Sequence, residues 1–385
     1  MRARRFAPGS ASVSPQNWPT HSCKTARRRF RWLSLLTALG LVAGSLGAGS
    51  MASASVVVPE PVPSCVITDP AITMLSGLVS DGEHWYVVND HDPFVQVFVL
   101  NRDCSVERVL TTGIDHYDVG DLAMAPDGVL WVAETGDNRM RRETVALISV
   151  TPDGQSALHR LTYPDGPRDA EALLIGSDGI PYIVTKELLG PAEIYRPAQA
   201  LESPGPVPLE RVGSVRIRGS NTPGGPIPGF VGSVVVTGGS VHPDGSVVAL
   251  RTYTDAYLFA APDGDVPTAL ENEPLRIPLP DEPQGEAVAI EPDGTLLSGS
   301  EGADQPIRAV PDAVGLLAAE LERREPAAVP PREEPTAPSN TEPEGAESEP
   351  APAEAPSEQE WGVVLLAGAV ALGLVWWWGR RRSRR

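Results

Sequence analysis

Between residues 65 and 311 apolar and polar positions alternate in short runs, and the runs come in pairs. VSDGEHWYVVND (79–90), APDGVLWVAETGD (125–137), GSDGIPYIVTKE (176–187), HPDGSVVALRTY (242–253) and EPDGTLLSGSEG (291–302) follow one plan. Each has a short apolar run before it, turns at Asp-Gly, and continues in a second apolar run. Asp-Gly between alternating apolar runs is a strong hairpin signal, because a tight hairpin turn favours residues that tolerate positive φ. The turn residues Asp81, Asp127, Asp178, Asp244 and Asp293 are 46 to 66 residues apart. That interval suits one four-stranded propeller blade per repeat, with the excess in the Gly/Pro loop GSNTPGGPIPGF at 219–230.

Further strands are expected in PFVQVFVLN (93–101), SVERVLTT (105–112), TVALISVTP (144–152), QSALHRLTYP (155–164), AYLFAAP (256–262), PLRIPLP (274–280) and QPIRAVP (305–311). The last repeat has no fourth strand of its own, and SCVITD (64–69) can supply it. Closure by a strand from the other end hides the final sheet edge. The expected fold is therefore all-β, a β-propeller over 64–311 with five blades. Six blades are the alternative, and an open β-sandwich is a third reading. A short helix is expected at 312–324.

The ends of the chain read differently. Residues 1–54 hold eight basic residues and no acidic one, with Arg27 to Arg31 before an apolar stretch and Ala52-Ser53-Ala54 as an A-x-A site. This is the pattern of an export signal. Arg27-Arg28-x-Phe30 also fits a twin-arginine signal, so the sequence leaves the export route open. Residues 55–63 are a leader. At 325–360 the chain holds ten Glu, one Arg and nine Pro, a composition expected to form an extended stalk. WGVVLLAGAVALGLVWWWG (361–379) carries no charge and is long enough for a membrane helix. Five arginines follow in 380–385, which places that tail in the cytoplasm and the propeller outside a single-pass anchor in the cell membrane.

Charge narrows the partners. Of 31 basic and 50 acidic residues, 13 basic ones lie in the two ends, so the remainder carries a net −32. Such a body repels nucleic acid. Its expected partners are the lipid bilayer, through the C-terminal helix, and an extracellular ligand or protein. Cys23 leaves with the signal, and Cys65 and Cys104 form an even pair in an oxidising compartment, expected to be bonded.

Counting back seven residues from the turn aspartates reaches Gly120, Glu171, Thr237 and Glu286, with Ser76 near the matching place in the first repeat. These positions fall at the start of the innermost strands, where a propeller gathers side chains around its axis. Asp118, Asp121 and Asp169 lie close by. The second strands end in Asn89-Asp90-His91-Asp92, Glu134 with Asp137, Lys186-Glu187, Arg251 and Glu301. A charged residue inside a β repeat must reach water, a counter-ion or a metal. One reading is an axial site for a hard cation such as Ca2+, bound by oxygen ligands drawn from Asp90, Asp92, Asp118, Asp137, Glu171 and Glu286. Lys186, Arg251, Asp121, Glu134 and Glu301 would then be the ligand-binding residues. The other reading is a hydrated channel mouth whose carboxylates pair with Lys186 and Arg251. The chain has no G-x-S-x-G, H-E-x-x-H or C-x-x-C motif and no Gly-rich phosphate loop. His84, His91, His116, His159 and His242 show no metal-ligand spacing.

The motifs L-S-G-L (75–78), T-G-D-N (135–138), Y-P-D-G-P-R-D-A-E-A-L-L (163–174), V-T-K-E (184–187), R-T-Y-T-D-A-Y (251–257) and Q-G-E-A-V-A (284–289) resemble a family of secreted bacterial propeller proteins related to phytase-like and esterase-like propellers. The resemblance spans about 65–311. It implies a propeller head, and its phytase-like members imply Ca2+ and phosphoester chemistry. The family tends to show N-D-S-G-D where this chain has Asn89-Asp90-His91-Asp92, and D-W-E-D where it has Asp118-Val119-Gly120-Asp121. Two functions follow as expectations. The first is a non-enzymatic surface module that binds a ligand or protein through an acidic central mouth. The second is a Ca2+-dependent phosphoester or ester hydrolase, with Asp90, Asp137, Glu171 and Glu286 on the metal and Lys186 and Arg251 on the anion.

Overall fold

The computed structural model describes residues 56–227 and 229–324. The expected export signal, stalk, apolar helix and basic tail lie outside the described residues. Among the described residues no helix is long and apolar enough to cross a membrane.

Strand β1 (Val62–Val66) precedes five consecutive sets of antiparallel strands. The first set is β2 (Leu75–Ser80), β3 (Trp85–Asn89), β4 (Gln96–Leu100) and β5 (Val106–Thr111). The second is β6 (Asp121–Met124), β7 (Leu130–Glu134), β8 (Val145–Val150) and β9 (Ser156–Thr162). The third is β10 (Ala170–Ile175), β11 (Pro181–Thr185), β12 (Ala192–Pro197) and β13 (Val207–Val215). The fourth is β14 (Val236–Val241), β15 (Val247–Thr252), β16 (Asp255–Ala260) and β17 (Leu275–Pro278), with the one-turn helix α1 (Val266–Ala269) between its last two strands. The fifth is β18 (Gly285–Ile290), β19 (Leu296–Ser300) and β20 (Pro306–Val310), completed by β1. A helix α2 (Ala313–Arg324) ends the described chain.

The expected hairpins form at all five Asp-Gly turns. Gly82, Gly128, Gly179, Gly245 and Gly294 each take a positive φ there, which explains why glycine follows each aspartate. The closing strand also forms: β1 pairs antiparallel with β20. It starts at Val62, so the last two residues of the expected leader belong to it. One connection was not legible in the sequence. Leu161 and Thr162 of β9 pair in parallel with Val207 and Pro208 of β13, which joins the second and third sets along their outer edges into one eight-stranded sheet.

The first strands of neighbouring sets lie side by side, β2 by β6, β6 by β10, β10 by β14, β14 by β18, and β18 back against β2. The result is a closed, propeller-like all-β ring. Each junction has its own apolar core. Leu122, Val132 and Ile148 meet Val88 and Val97 between the first two sets. Leu174 and Val184 meet Val236 and Phe259 between the third and fourth. Leu78, Val87 and Phe98 meet Ala289 and Ile307 across the closure. Residues on both faces of each set are therefore buried, which is why these strands read as near-continuous apolar runs.

Closure carries two polar fasteners. Cys65 of β1 and Cys104 of the β4–β5 turn form a disulfide, with Cα atoms 5.8 Å apart. Beside it, buried Glu291 of the fifth set accepts from Ser80 Oγ at 2.8 Å, from Trp85 Nε1 at 3.0 Å, and from the Arg102 guanidinium. Burial alone would raise the Glu291 carboxyl, but Arg102, Trp85 and Ser80 hold it below its ordinary value. Replacing both Cys65 and Cys104 by serine releases a loop of 39 residues. The expected loss is about 4 kcal/mol, or a melting temperature lower by about 10 °C, measured by calorimetry of oxidised wild type against the double variant.

Candidate functional site at the axial acidic mouth

Four of the five innermost strands, all but β6, share a defect that aims side chains at the axis. The register slips between Leu75 and Gly77, between Ala170 and Ala172, between Val236 and Gly238, and between Gly285 and Ala287. The skipped residues are Ser76, Glu171, Thr237 and Glu286. Each is a β-bulge, which turns a side chain out of the ladder's alternation. The positions reached by counting back from the turns thus occupy equivalent places around one ring. Two of their hydroxyls staple the ring: Ser76 Oγ donates to the Gly120 carbonyl at 2.8 Å, and Thr237 Oγ1 to the Gly285 carbonyl at 2.9 Å. Neighbouring strands approach so closely that a Cβ on Gly77 would stand 2.4 Å from Leu122 N.

Gly120 is the ring member without a side chain. A Cβ there would lie 2.6 Å from Glu171 Oε2 and 2.9 Å from the Ala170 carbonyl oxygen. The Glu171 carboxylate therefore occupies the space beside Gly120. Its other oxygen, Oε1, accepts from Lys186 Nζ at 3.1 Å. Glu286, also buried, faces the same ammonium. Its Oε1 accepts from Gln284 Nε2 at 3.2 Å, and its Oε2 has no partner. The Tyr253 ring covers Lys186 at 5.6 Å. Burial by itself would depress the Lys186 ammonium, but Glu171 and Glu286 outweigh it and raise the group above its ordinary value. Burial pushes Glu171 up to about 8 against the pull of Lys186, and lifts Glu286 well above the usual carboxylate range.

A second acidic pair adjoins this one. Asp90 is pushed up to about 7, first by burial and then by the neighbouring carboxyl of Asp118. Asp118 packs against Gly136 and accepts from Asn138 Nδ2 at 3.2 Å. Asp90 Oδ2 lies 2.7 Å from His91 Nδ1, and Asp90 Oδ1 is buried without a partner. Asp169, raised by burial, and Glu301, raised by burial beside Lys186, complete the acidic surroundings.

Several expected roles change in the structure. Arg251 is fully buried, paired with Glu282 and donating to the Ala287 carbonyl at 2.8 Å, so it is not free to hold an anionic ligand. Glu134 is buried against Arg142 and accepts from Tyr117 N at 2.9 Å, which makes it a loop anchor. Asp137 caps the following turn, accepting from Arg141 N and Arg142 N at 2.5 and 2.7 Å. Asp92 accepts from Asn89 Nδ2 at 3.0 Å.

Asp121 is the clearest case. It is wholly buried beneath the ring, and its carboxylate accepts from Leu122 N at 2.8 Å and from Leu173 N and Gly239 N at 2.9 Å. Those donors lie on β6, β10 and β14, so one side chain ties three innermost strands. Burial pushes its carboxyl well above the ordinary range, against the three N–H donors.

The fit of a hard cation can be judged from this donor set. Unpartnered oxygens exist on Asp90, Asp137 and Glu286. Yet among the described residues no three His, Cys, Asp or Glu side chains are grouped to hold a metal ion. The six carboxylates expected to share Ca2+ are divided between an Asp90–Asp118 pair and the Glu171–Lys186–Glu286 triad, with Asp92 and Asp137 engaged elsewhere. The position between the two glutamates is taken by the Lys186 ammonium. The residues present do not fit Ca2+ in this arrangement.

No family model matches the chain, and no curated protein matches it. Among solved structures, the gluconolactonase XC5397 of Xanthomonas campestris aligns at 14% identity over 66% of this chain and 98% of its own, with a TM-score of 0.39. The Myxococcus xanthus glutaminyl cyclase aligns at 12% identity over 65% and 94%, with a TM-score of 0.36. The Kuenenia stuttgartiensis hydrazine synthase aligns at 10% identity over 62% and 84%, with a TM-score of 0.37. Likeness at this level says nothing of activity.

Tyr253 and Gln284 escaped the sequence reading. Each lies two residues from one that was singled out, Arg251 and Glu286, and just beyond the end of its strand, β15 or β18, where no alternation marks it.

Two measurements check this account. Asp121→Ala strips acceptors from three buried N–H groups and is expected to cost at least about 3 kcal/mol, read as a fall of about 10 °C in melting temperature. The raised carboxyls also set a pH slope. The folded state keeps on Asp90 a proton that the unfolded chain releases near its ordinary value of 3.8, so stability falls as pH rises from about 4 to about 7. Thermal melts between pH 5 and pH 8 should show the decline, and Asp90→Asn should flatten it.

Proposed function

We propose that the described residues form a five-bladed β-propeller, the head of an exported, membrane-tethered protein that binds the cationic group of a ligand or partner at its acidic mouth. The observation that carries this reading is the imbalance at the axis. The Lys186 ammonium faces the carboxyls of Glu171, Glu286, Asp169 and Glu301, the carboxyls of Asp90 and Asp118 lie nearby, and Asp90 and Glu286 each keep a buried oxygen without a partner. A buried acceptor left unpaired costs about 1–3 kcal/mol, which a donor on the ligand would recover. Ammonium and guanidinium groups supply both the donor and the opposite charge. Partly exposed Asp90 and Glu301, with exposed His91 at the rim, give access from outside.

The signal at 1–54, the stalk at 325–360 and the apolar helix at 361–379 would export the head and hold it at the membrane. Helix α2 lies at the Asp-Gly hairpin end, where Val314 N donates to the Gly294 carbonyl at 3.2 Å and Arg324 Nη1 to the Glu273 carbonyl at 2.6 Å. The described chain therefore leaves the head at the end opposite the acidic mouth. The phytase-like resemblance makes a Ca2+-dependent hydrolase the competing reading. It would require Lys186 to withdraw from between Glu171 and Glu286.

Titration calorimetry of the purified protein with trilysine tests the proposal. Because the cation displaces protons from Asp90 and its neighbours, affinity should rise at least about tenfold from pH 6 to pH 8, and Glu286→Gln should weaken it by a similar factor. Absence of trilysine binding at millimolar concentration sinks the cation-binding reading. A rise in melting temperature with Ca2+ that disappears in Glu171→Gln and Glu286→Gln would favour the hydrolase instead.

A further inference from the structure

The second strand set carries a cluster that the acidic mouth does not use. In β8 and β9 the register places Ser149 opposite Ala157 and Leu147 opposite His159, so Ser149 and His159 are diagonal neighbours on one face of the sheet. Trp131 of β7 stands opposite Ser149 on the same face. Ser149 Oγ lies 3.3 Å from His159 Nε2. On the far side of the ring, His159 Nδ1 lies 3.2 Å from the Glu202 carbonyl oxygen. A carbonyl can only accept, so Nδ1 carries the proton and Nε2 presents its lone pair to the serine hydroxyl. Trp131 buttresses the imidazole at a ring separation of 5.3 Å. Burial lowers the His159 pKa below its ordinary value, so the ring is a neutral base at pH 7.

Of the pair, His159 lines a cleft of about 580 Å³ between the second and third strand sets, and Ser149 reaches it through the imidazole, 3.3 Å away. Trp131, Ile180, Pro181, Pro197 and Leu201 give it apolar walls, and His159 lines it directly. At its edge Arg196 Nε pairs with Glu210 at 2.7 Å, which leaves little net charge in the cleft. Such walls suit an uncharged substrate with an apolar or aromatic group.

We propose that Ser149 and His159 are a nucleophile–base pair that hydrolyses small uncharged esters held in this cleft, a site separate from the acidic mouth. Ser149 Oγ attacks the ester carbonyl carbon while its proton passes to His159 Nε2. The carbon–oxygen bond to the alcohol breaks, and the departing alcohol takes that proton from His159. Water then attacks the acyl group on Ser149 Oγ, giving one proton to His159. The carboxylic acid leaves, and Ser149 recovers the proton. Water is the one co-reactant, and no oxidant or metal enters the balance.

The N–H groups of β8 are engaged with its two neighbouring strands, so backbone donors for the developing oxyanion are scarce. Trp131, Arg196 and Gln199 line the cleft and carry side-chain N–H donors. Loss of one preformed oxyanion donor typically slows turnover by about 10²–10³, so a slow enzyme is expected, and covalent capture is a surer readout than steady-state rate.

The test exposes the full-length purified protein at pH 8 to a biotinylated fluorophosphonate and maps the adduct by peptide mass spectrometry. The expected result is an adduct on Ser149, none in Ser149→Ala, and labelling slowed about 100-fold in His159→Gln, with p-nitrophenyl butyrate hydrolysis falling in parallel. An unmodified Ser149 after prolonged exposure overturns the proposal. So does an unchanged labelling rate in folded His159→Gln, which would make the contact a strand pairing without chemistry. Should His159→Gln fail to fold, Ser149→Ala decides the matter, because it removes only one half-buried hydroxyl: ester hydrolysis that persists at the wild-type rate overturns the proposal.

Discussion

The innermost strands must come closer to one another than side chains ordinarily permit, and the rest of the molecule is arranged around that demand. Asp121 holds three of them at this distance through N–H groups of β6, β10 and β14. Gly77 and Gly238 let the backbones touch, and hydroxyls of Ser76 and Thr237 bridge from one strand to the next. A carboxylate that accepts three backbone hydrogen bonds satisfies groups that no neighbouring strand could reach. The tie holds β10, which carries Glu171, and the Thr237 hydroxyl joins β14 to β18, which carries Glu286.

Because the bulges rotate equivalent residues inward, charge accumulates where water is scarce. The protein manages this in two ways. Lys186 neutralises part of the carboxylate excess, and raised proton affinity at Asp90, Glu171 and Glu286 removes another part. Both devices leave the mouth responsive to whatever cation or proton arrives. They also account for the division of the expected Ca2+ ligands: a lysine already stands where the metal charge would be, and the space beside Gly120 is filled by the carboxylate of Glu171.

Much of the fold was readable because Asp-Gly turns punctuate it. Each turn marked a hairpin, the spacing marked a four-stranded unit, and the orphan strand at 64–69 marked the closure. The ring of Ser76, Gly120, Glu171, Thr237 and Glu286 could be found by counting, since the distance from turn to bulge is nearly constant. What counting could not supply was the partner of each charge. Arg251 was as conspicuous as Lys186 in the sequence, yet one is locked to Glu282 inside a sheet junction while the other stands in the axial cluster. Glu282 lies 31 residues further on, in a loop with no distinguishing pattern. Ser149 and His159 were likewise unremarkable in strands that showed only apolar alternation.

Alternation, turn chemistry and composition are local properties, and they determined the strand succession, the hairpins, the pairing of Cys65 with Cys104 and the acidic character of the body. Pairing among side chains is a property of distance. Only the closed ring decided that Asp121 faces N–H groups and no solvent, that Asp90 lies buried beside the carboxyl of Asp118, and that the Trp131 face meets the third strand set around a cleft. A dielectric environment, and with it the charge a carboxyl can carry, exists only once distant strands have excluded water from around it.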